Sequence, residues 1–190
     1  MCGHLAVGGL THPGCRRPLG MDGLTSIFAY KGLIKKAIKK IKYRFVSDIT
    51  SDLIEAFLSF IGENKACSDF VLEKPTLVSI PLHPKRLRWR GFNQSELLGK
   101  LIAGNLDLDF APDLLTRVKE TQPQADLTKN LRQKNISGAF FLNRNCKLKI
   151  ENCKFILFDD VWTSGATLRE AAKVLKRNGV KKVWGLTLAR

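Results

Sequence analysis

The chain has 190 residues, 44% hydrophobic and 26% charged, with 32 Lys and Arg against 17 Asp and Glu, a formal net charge of +15. That length fits one ordinary domain plus an appendage, and the balance excludes disordered and collagen-like chains; no apolar run approaches the roughly 18 residues that a bilayer span demands, so no membrane insertion is expected. Five cysteines are too few for a disulfide scaffold, so Cys67, Cys146 and Cys153 read as thiols of a reducing cytoplasm, while the positive field favours polyanionic partners, nucleic acid or phosphorylated small molecules.

Residues 1 to 26 are rich in Gly, His, Pro and Cys, lack periodicity, and read as loops in need of an external staple. A helical pattern starts at Gly32, with Leu33, Ile34, Ala37, Ile38 and Ile41 inward and Lys35, Lys36, Lys39, Lys40 and Lys42 on the remainder. A second helix spans about Asp48 to Phe60, and a loop is expected from Glu63. Thr76 to Ile80 is a β-rich apolar run stopped by Pro81 and Pro84, hence a buried strand followed by a stiff turn carrying Lys85, Arg86, Arg88 and Arg90. Helical spacing returns over Gln94 to Ala103, a short strand is expected at Leu114 to Val118, and Thr121 to Ser137 is too polar for a core. Phe155 to Phe158 is another buried strand, residues 166 to 177 a helix stopped at Asn178-Gly179, and Lys182 to Leu188 a closing strand. Strands alternating with helices imply a parallel α/β sheet with its site at the strands' C-terminal ends.

The segment FILFDDVWTSGATLRE (155–170) concentrates the chemistry. In Thr163-Ser164-Gly165-Ala166-Thr167, the small residues let an anion approach backbone N–H groups at the positive end of a helix, and three hydroxyls add donors. Asp159 and Asp160 sit just before this turn. Carboxylates repel phosphate, so their targets are uncharged hydroxyls or a divalent cation; a ribose 5-phosphate meets both demands. A capping acid ahead of an ordinary strand-to-helix connection would share some of these residues, but two acids followed by five small ones favour a phosphate site. Trp162 either packs against the sugar or fills the core.

FILFDDVWTSGAT resembles the phosphoribosyl-pyrophosphate signature of type I phosphoribosyltransferases. That resemblance implies that Asp159 and Asp160 hold the ribose ring in catalysis with Mg²⁺, and that Thr163, Ser164, Gly165, Ala166 and Thr167 bind the 5-phosphate. Together with PLHPKRLRWRGFNQSELL (81–98), RVKETQPQADLTKNLRQKNISGAF (117–140) and the terminal LTLAR, it is similar to the ComF family over roughly residues 12 to 190. Those are competence-associated proteins with a phosphoribosyltransferase-like domain. The expected fold is a type I phosphoribosyltransferase-like parallel sheet flanked by helices (27–190), after a truncated zinc-knuckle-like segment (1–26). The resemblance places Arg86 and Arg90 toward the leaving pyrophosphate, a role that suits guanidinium forks. It makes the polar stretch a loop closing over substrate, with Arg117, Gln124, Arg132 and Asn135 as its matched positions.

His12-Pro13-Gly14-Cys15 has the spacing of half a zinc site. ComF proteins begin with paired-cysteine knuckles, and Cys2-Gly3 resembles the end of one whose first cysteine would precede Met1. The resulting Zn²⁺ set is Cys2, His12 and Cys15, with His4 as a fourth donor at a tight spacing. Between Lys31 and Arg44 lie seven basic residues and no acid. Lys35, Lys36, Lys39 and Lys40 make this helix a candidate track for single-stranded DNA, in keeping with competence or DNA-processing partners; a solvated helix face has the same composition.

Overall fold

The computed structural model describes residues 7–43, 47–121, 129–143, 145–146 and 148–190; for 7, 43, 47–49, 129–130 and 132–133 it describes the backbone alone. The central sheet is fully parallel, in the order β1-β6-β5-β2. Its strands are β1 (Gly23–Phe28), β2 (Thr76–Ser79), β5 (Lys154–Val161) and β6 (Lys182–Ala189). A separate antiparallel hairpin pairs β3 (Leu115–Arg117) with β4 (Phe140–Leu142). The α/β architecture with helices on both faces is the one the strand–helix alternation implies.

Strand alternation sorts the core into two layers. On β5, Ile156 and Phe158 pack with α1 (Gly32–Tyr43), α2 (Ser47–Glu63), α3 (Lys65–Leu72) and α5 (Gln94–Asn105). Phe155 and Leu157 pack on the opposite face with α7 (Ala166–Arg177), α6 (Lys129–Ile136) and the hairpin. Phe57 of α2 meets Phe158 edge-on, with ring centroids 6.2 Å apart, an arrangement aromatic quadrupoles favour. In α7, Leu168, Ala171, Ala172 and Leu175 are all buried, as their spacing predicts.

Several expectations need correction. Residues 23–26, read as loop, belong to β1, so the boundary drawn at residue 26 falls inside a strand. Leu33 is 81% exposed, because α1 turns Ile34, Ile38 and Ile41 toward the core and Leu33 away from it. The loop expected from Glu63 is one residue long: the Asn64 side chain accepts from the Cys67 amide at 3.0 Å and starts α3. The stiff turn after Pro84 is a helix, α4 (Pro84–Arg90), since proline is compatible with a helix's first turn, where its missing N–H is not needed. The polar stretch ends in α6 and is followed by β4, neither of which was anticipated.

Candidate functional site

A group of buried polar side chains gathers beyond the C-terminal ends of β2 and β5. Asn93, Gln94, Ser95, Arg117, Thr121 and Asp160 are all buried there, in the crevice where open parallel sheets place ligands. Each is positioned by a local device. Asn93 caps α5 by accepting from the Ser95 amide and donates to the Ile80 carbonyl at 3.1 Å, tying the helix start to the end of β2.

Asp159 and Asp160 end β5 and, as neighbours on a strand, lead toward different surroundings. Asp160 turns to the α1 and α5 side, where Lys42 Nζ lies 2.8 Å from Oδ2 and Gln94 Nε2 donates to the same oxygen at 3.3 Å. Gln94 is held in turn by Arg90, which donates to its amide oxygen. Asp159 is partly buried; its Oδ1 accepts from Ser95 Oγ at 3.0 Å and from the Asp160 amide at 2.9 Å. Burial and the charge of Asp160 push the Asp159 carboxyl up to about 7, against the opposing pull of Lys42, the Asp160 amide and Ser95. Burial works against the Lys42 ammonium, but the charge and hydrogen bond of Asp160 outweigh it and raise its pKa.

The turn after β5 carries all five expected phosphate-loop residues. Gly165 has φ 74° and sits directly before α7 with no side chain to cap it. A Cβ at Gly165 would run into the indole of Trp162, so glycine is required both by the backbone and by the close approach of that ring. Trp162 is buried beneath the turn in the α7 layer, which decides for the core between its two expected roles. Arg169 clamps the turn from outside: its guanidinium stacks 5.1 Å from the Trp162 ring and donates to the Ser164 carbonyl at 2.9 Å. Ser164 Oγ accepts from the Ala166 amide at 3.4 Å. Thr163 is exposed and Thr167 half-buried at the same mouth.

Alongside lies a cleft of about 220 Å³ lined by His83, Lys85, Arg86, Trp89, Arg117 and Thr121, with Glu120 at its rim. Arg86 donates to the Thr121 carbonyl at 3.4 Å and Arg117 to the Thr121 hydroxyl. Two guanidiniums thus converge on one residue. Burial and the nearby Arg86 lower Arg117 to about 10, with Asp159 pulling the other way. Glu120 bonds Lys85 at 2.5 Å; that bond, with lesser pulls from the charges of Lys85, His83 and Arg86, holds its carboxyl below the usual range. Arg86 and Arg90 are half-buried here while Arg88 is exposed.

Other expected residues lie elsewhere. Lys35, Lys36, Lys39 and Lys40 are exposed along α1, with Lys35 lying 5.9 Å from the Tyr30 ring. Asn135 is half-buried in α6; Gln124 and the Arg132 side chain lie outside the described residues, as do Cys2 and His4. His12 and Cys15 share one 3-10 turn, in which His12 Nδ1 accepts from the Gly14 amide at 3.2 Å. Among the described residues no three His, Cys, Asp or Glu converge as a metal cluster; Cys2 and His4 of the expected set lie outside them.

The sequence reasoning missed Lys42 as a partner of the acids, and Ser95. Within RGFNQ, Asn93 is the cap of α5 and Gln94 orients Asp160. Ser95 had a usable signal, since it follows RGFNQ at the start of a helix packed on β5. Lys42 had none, being one lysine among several.

No family model matches the chain. A solved hypoxanthine phosphoribosyltransferase from Staphylococcus aureus aligns over 79% of this chain and 69% of its own, with a TM-score of 0.41 and 13% identity. Competence protein F of Haemophilus influenzae is 32% identical over 151 residues, 78% of this chain and 66% of that protein. DNA utilization protein YhgH of Salmonella typhi is 31% identical over 173 residues, 90% of this chain and 74% of that protein. Sharing that identity across most of both lengths, the chain belongs to the ComF family of YhgH and competence proteins.

Proposed function

We propose that the protein binds phosphoribosyl pyrophosphate with its Mg²⁺ and transfers the ribosyl phosphate to a nitrogen nucleophile, in the setting of DNA uptake. The observation that carries this reading is the unbroken order at the end of β5: two acids, a glycine at positive φ, and the start of a helix whose cap residue is that glycine. A phosphate accepts hydrogen bonds at such a helix start and gains from its dipole, while a carboxylate just upstream accepts from ring hydroxyls.

The residues fit a magnesium chelated by the substrate. Asp159 offers one oxygen beyond the two bonds made by Oδ1, and Mg²⁺ retains waters and substrate oxygens rather than requiring an all-protein cage. Bound in this way, the cation supplies charge neutralisation for the departing pyrophosphate. As that group leaves, positive charge grows at the anomeric carbon, and Asp159 at the ring edge stabilises it. Arg86 and Arg117 answer the leaving group's negative charge.

Thermal unfolding with phosphoribosyl pyrophosphate plus Mg²⁺ tests the reading. At a ligand concentration one hundred times Kd, about 2.7 kcal/mol of stabilisation raises Tm by about 5–10 °C for a domain of this size. Ribose 5-phosphate should give part of the shift and free pyrophosphate less. No shift with any of the three would refute the proposal.

A second reading is favoured by two surface features: the exposed lysines of α1, and Trp89, 71% exposed beside Arg86 and Arg88. Here the chain binds single-stranded DNA without catalysis, its phosphates on the lysines and a base stacked on the indole. Retention of DNA binding in an Asp159→Asn variant that has lost the sugar phosphate would show the two sites to be separate.

A further inference from the structure

We propose that Lys42 is a positioning residue of the sugar-phosphate site, an internal cation that anchors Asp160 to helix α1 and leaves Asp159 as the acid that meets the ligand. This deepens the phosphoribosyl reading and rests on it. Geometry separates the two acids. The Asp160 side chain is 7% exposed, and its Oδ2 is shared by Lys42 Nζ and Gln94 Nε2. A carboxylate so enclosed, with two donors already on one oxygen, is poorly placed to accept from a sugar hydroxyl. Asp159 is more accessible, and among the described residues only its Oδ1 is engaged.

Charge gives Lys42 its task. Where Asp159 is ionised, two adjacent carboxylates beside a phosphate turn would repel the phosphate; a lysine 2.8 Å from one of them leaves the group with a single net negative charge. The placement on α1 is selective. Lys35, Lys36, Lys39 and Lys40 are exposed, whereas Lys42 is half-buried and turned to the acids. An exposed lysine on this helix needs only solvent, but Lys42 follows the buried Ile41 and Ile38, where an apolar residue would complete the packing. Replacing buried ion pairs by apolar groups is often neutral for stability, so packing alone does not call for a cation at this position.

The test uses the full chain and the variants Lys42→Met, Lys42→Gln and Lys42→Arg, with two probes: Mn²⁺ alone, followed by electron paramagnetic resonance, and ribose 5-phosphate. At pH 8.5, above the range in which Asp159 takes up a proton, removing the cation unmasks a second negative charge. Lys42→Met and Lys42→Gln should therefore tighten Mn²⁺ by about 3-fold or more and weaken ribose 5-phosphate by about 10-fold. Lys42→Arg keeps the charge and should stay within about 3-fold of wild type on both. A residue that only supports the fold would not tighten a metal. Folded Lys42→Met or Lys42→Gln protein that binds Mn²⁺ no more tightly than wild type would overturn the proposal. So would neutral variants that both unfold, since Lys42 would then be a packing cation. Wild-type protein that ignores ribose 5-phosphate would count against the phosphoribosyl reading, while the Mn²⁺ comparison still judges Lys42.

Discussion

Asp159→Asn should make the free protein more stable while removing its grip on a sugar phosphate. In the folded chain the Asp159 carboxyl titrates at about 7 against an ordinary 3.8, chiefly because burial and Asp160 disfavour its charge. A raised carboxyl pKa means the folded state binds that proton more tightly than the unfolded state does. The resulting stability is fully present below pH 3.8 and is lost as pH rises toward 7; above that, the folded protein carries the whole cost of the ionised group. At about 1.36 kcal/mol per pK unit, the cost has a ceiling of about 4 kcal/mol, reduced to about 1–4 by the coupling with Asp160 and Lys42. Asparagine keeps an oxygen for Ser95 and for the Asp160 amide but carries no charge, so it mimics the protonated acid. Calorimetry at pH 8 should show a gain of about 2–16 °C in Tm, falling to about a third of that at pH 5, where the wild-type carboxyl is already largely protonated. Equal gains at both pH values, or none at pH 8, would refute the argument that desolvation and like charge govern this residue.

Gly165→Ala places a Cβ at positive φ and against the Trp162 ring; it should cost about 1–3 kcal/mol in chemical denaturation and abolish ribose 5-phosphate binding, measured by calorimetric titration. If single-stranded DNA follows α1, changing Lys35, Lys36, Lys39 and Lys40 together to Gln should reduce the slope of log affinity against log salt by about 2–3, at roughly 0.7 per phosphate contact. An unchanged slope would remove α1 from the DNA path.

The residues that were legible in the sequence are those where local chemistry and global packing agree. The run of five small residues after paired acids can hardly be read as anything but a turn at a helix start, and α7 spans the residues that its apolar spacing marks. Strands β2, β5 and β6 announce themselves because a parallel sheet covered on both faces makes them continuously apolar. β1 escaped because Gly23, Thr25 and Ser26 dilute that signal. Thr25 is nonetheless buried, bonded by the Trp184 indole at 3.0 Å, and Ser26 exchanges a 2.7 Å hydrogen bond with Thr187. Such pairings depend on residues about 160 positions away, which no local pattern contains. Helix α4 was hidden by the double meaning of proline, a stop signal in a strand and a start signal in a helix. The distinct surroundings of Asp159 and Asp160 follow in part from strand alternation, but the identity of Lys42 as the partner comes only from how α1 settles on the sheet.

The Trp162 indole, wedged beneath Gly165 and roofed by the Arg169 guanidinium, gives the molecule a built-in fluorophore at the floor of its anion turn. An arriving dianion would draw Arg169 and alter the field across that ring, so emission can follow occupancy in real time without any dye. Of the chain's three tryptophans, Trp89 is 71% exposed at the guanidinium cleft and Trp184 is sealed in the opposite layer, which leaves their spectra separable from this one by quencher access and by wavelength.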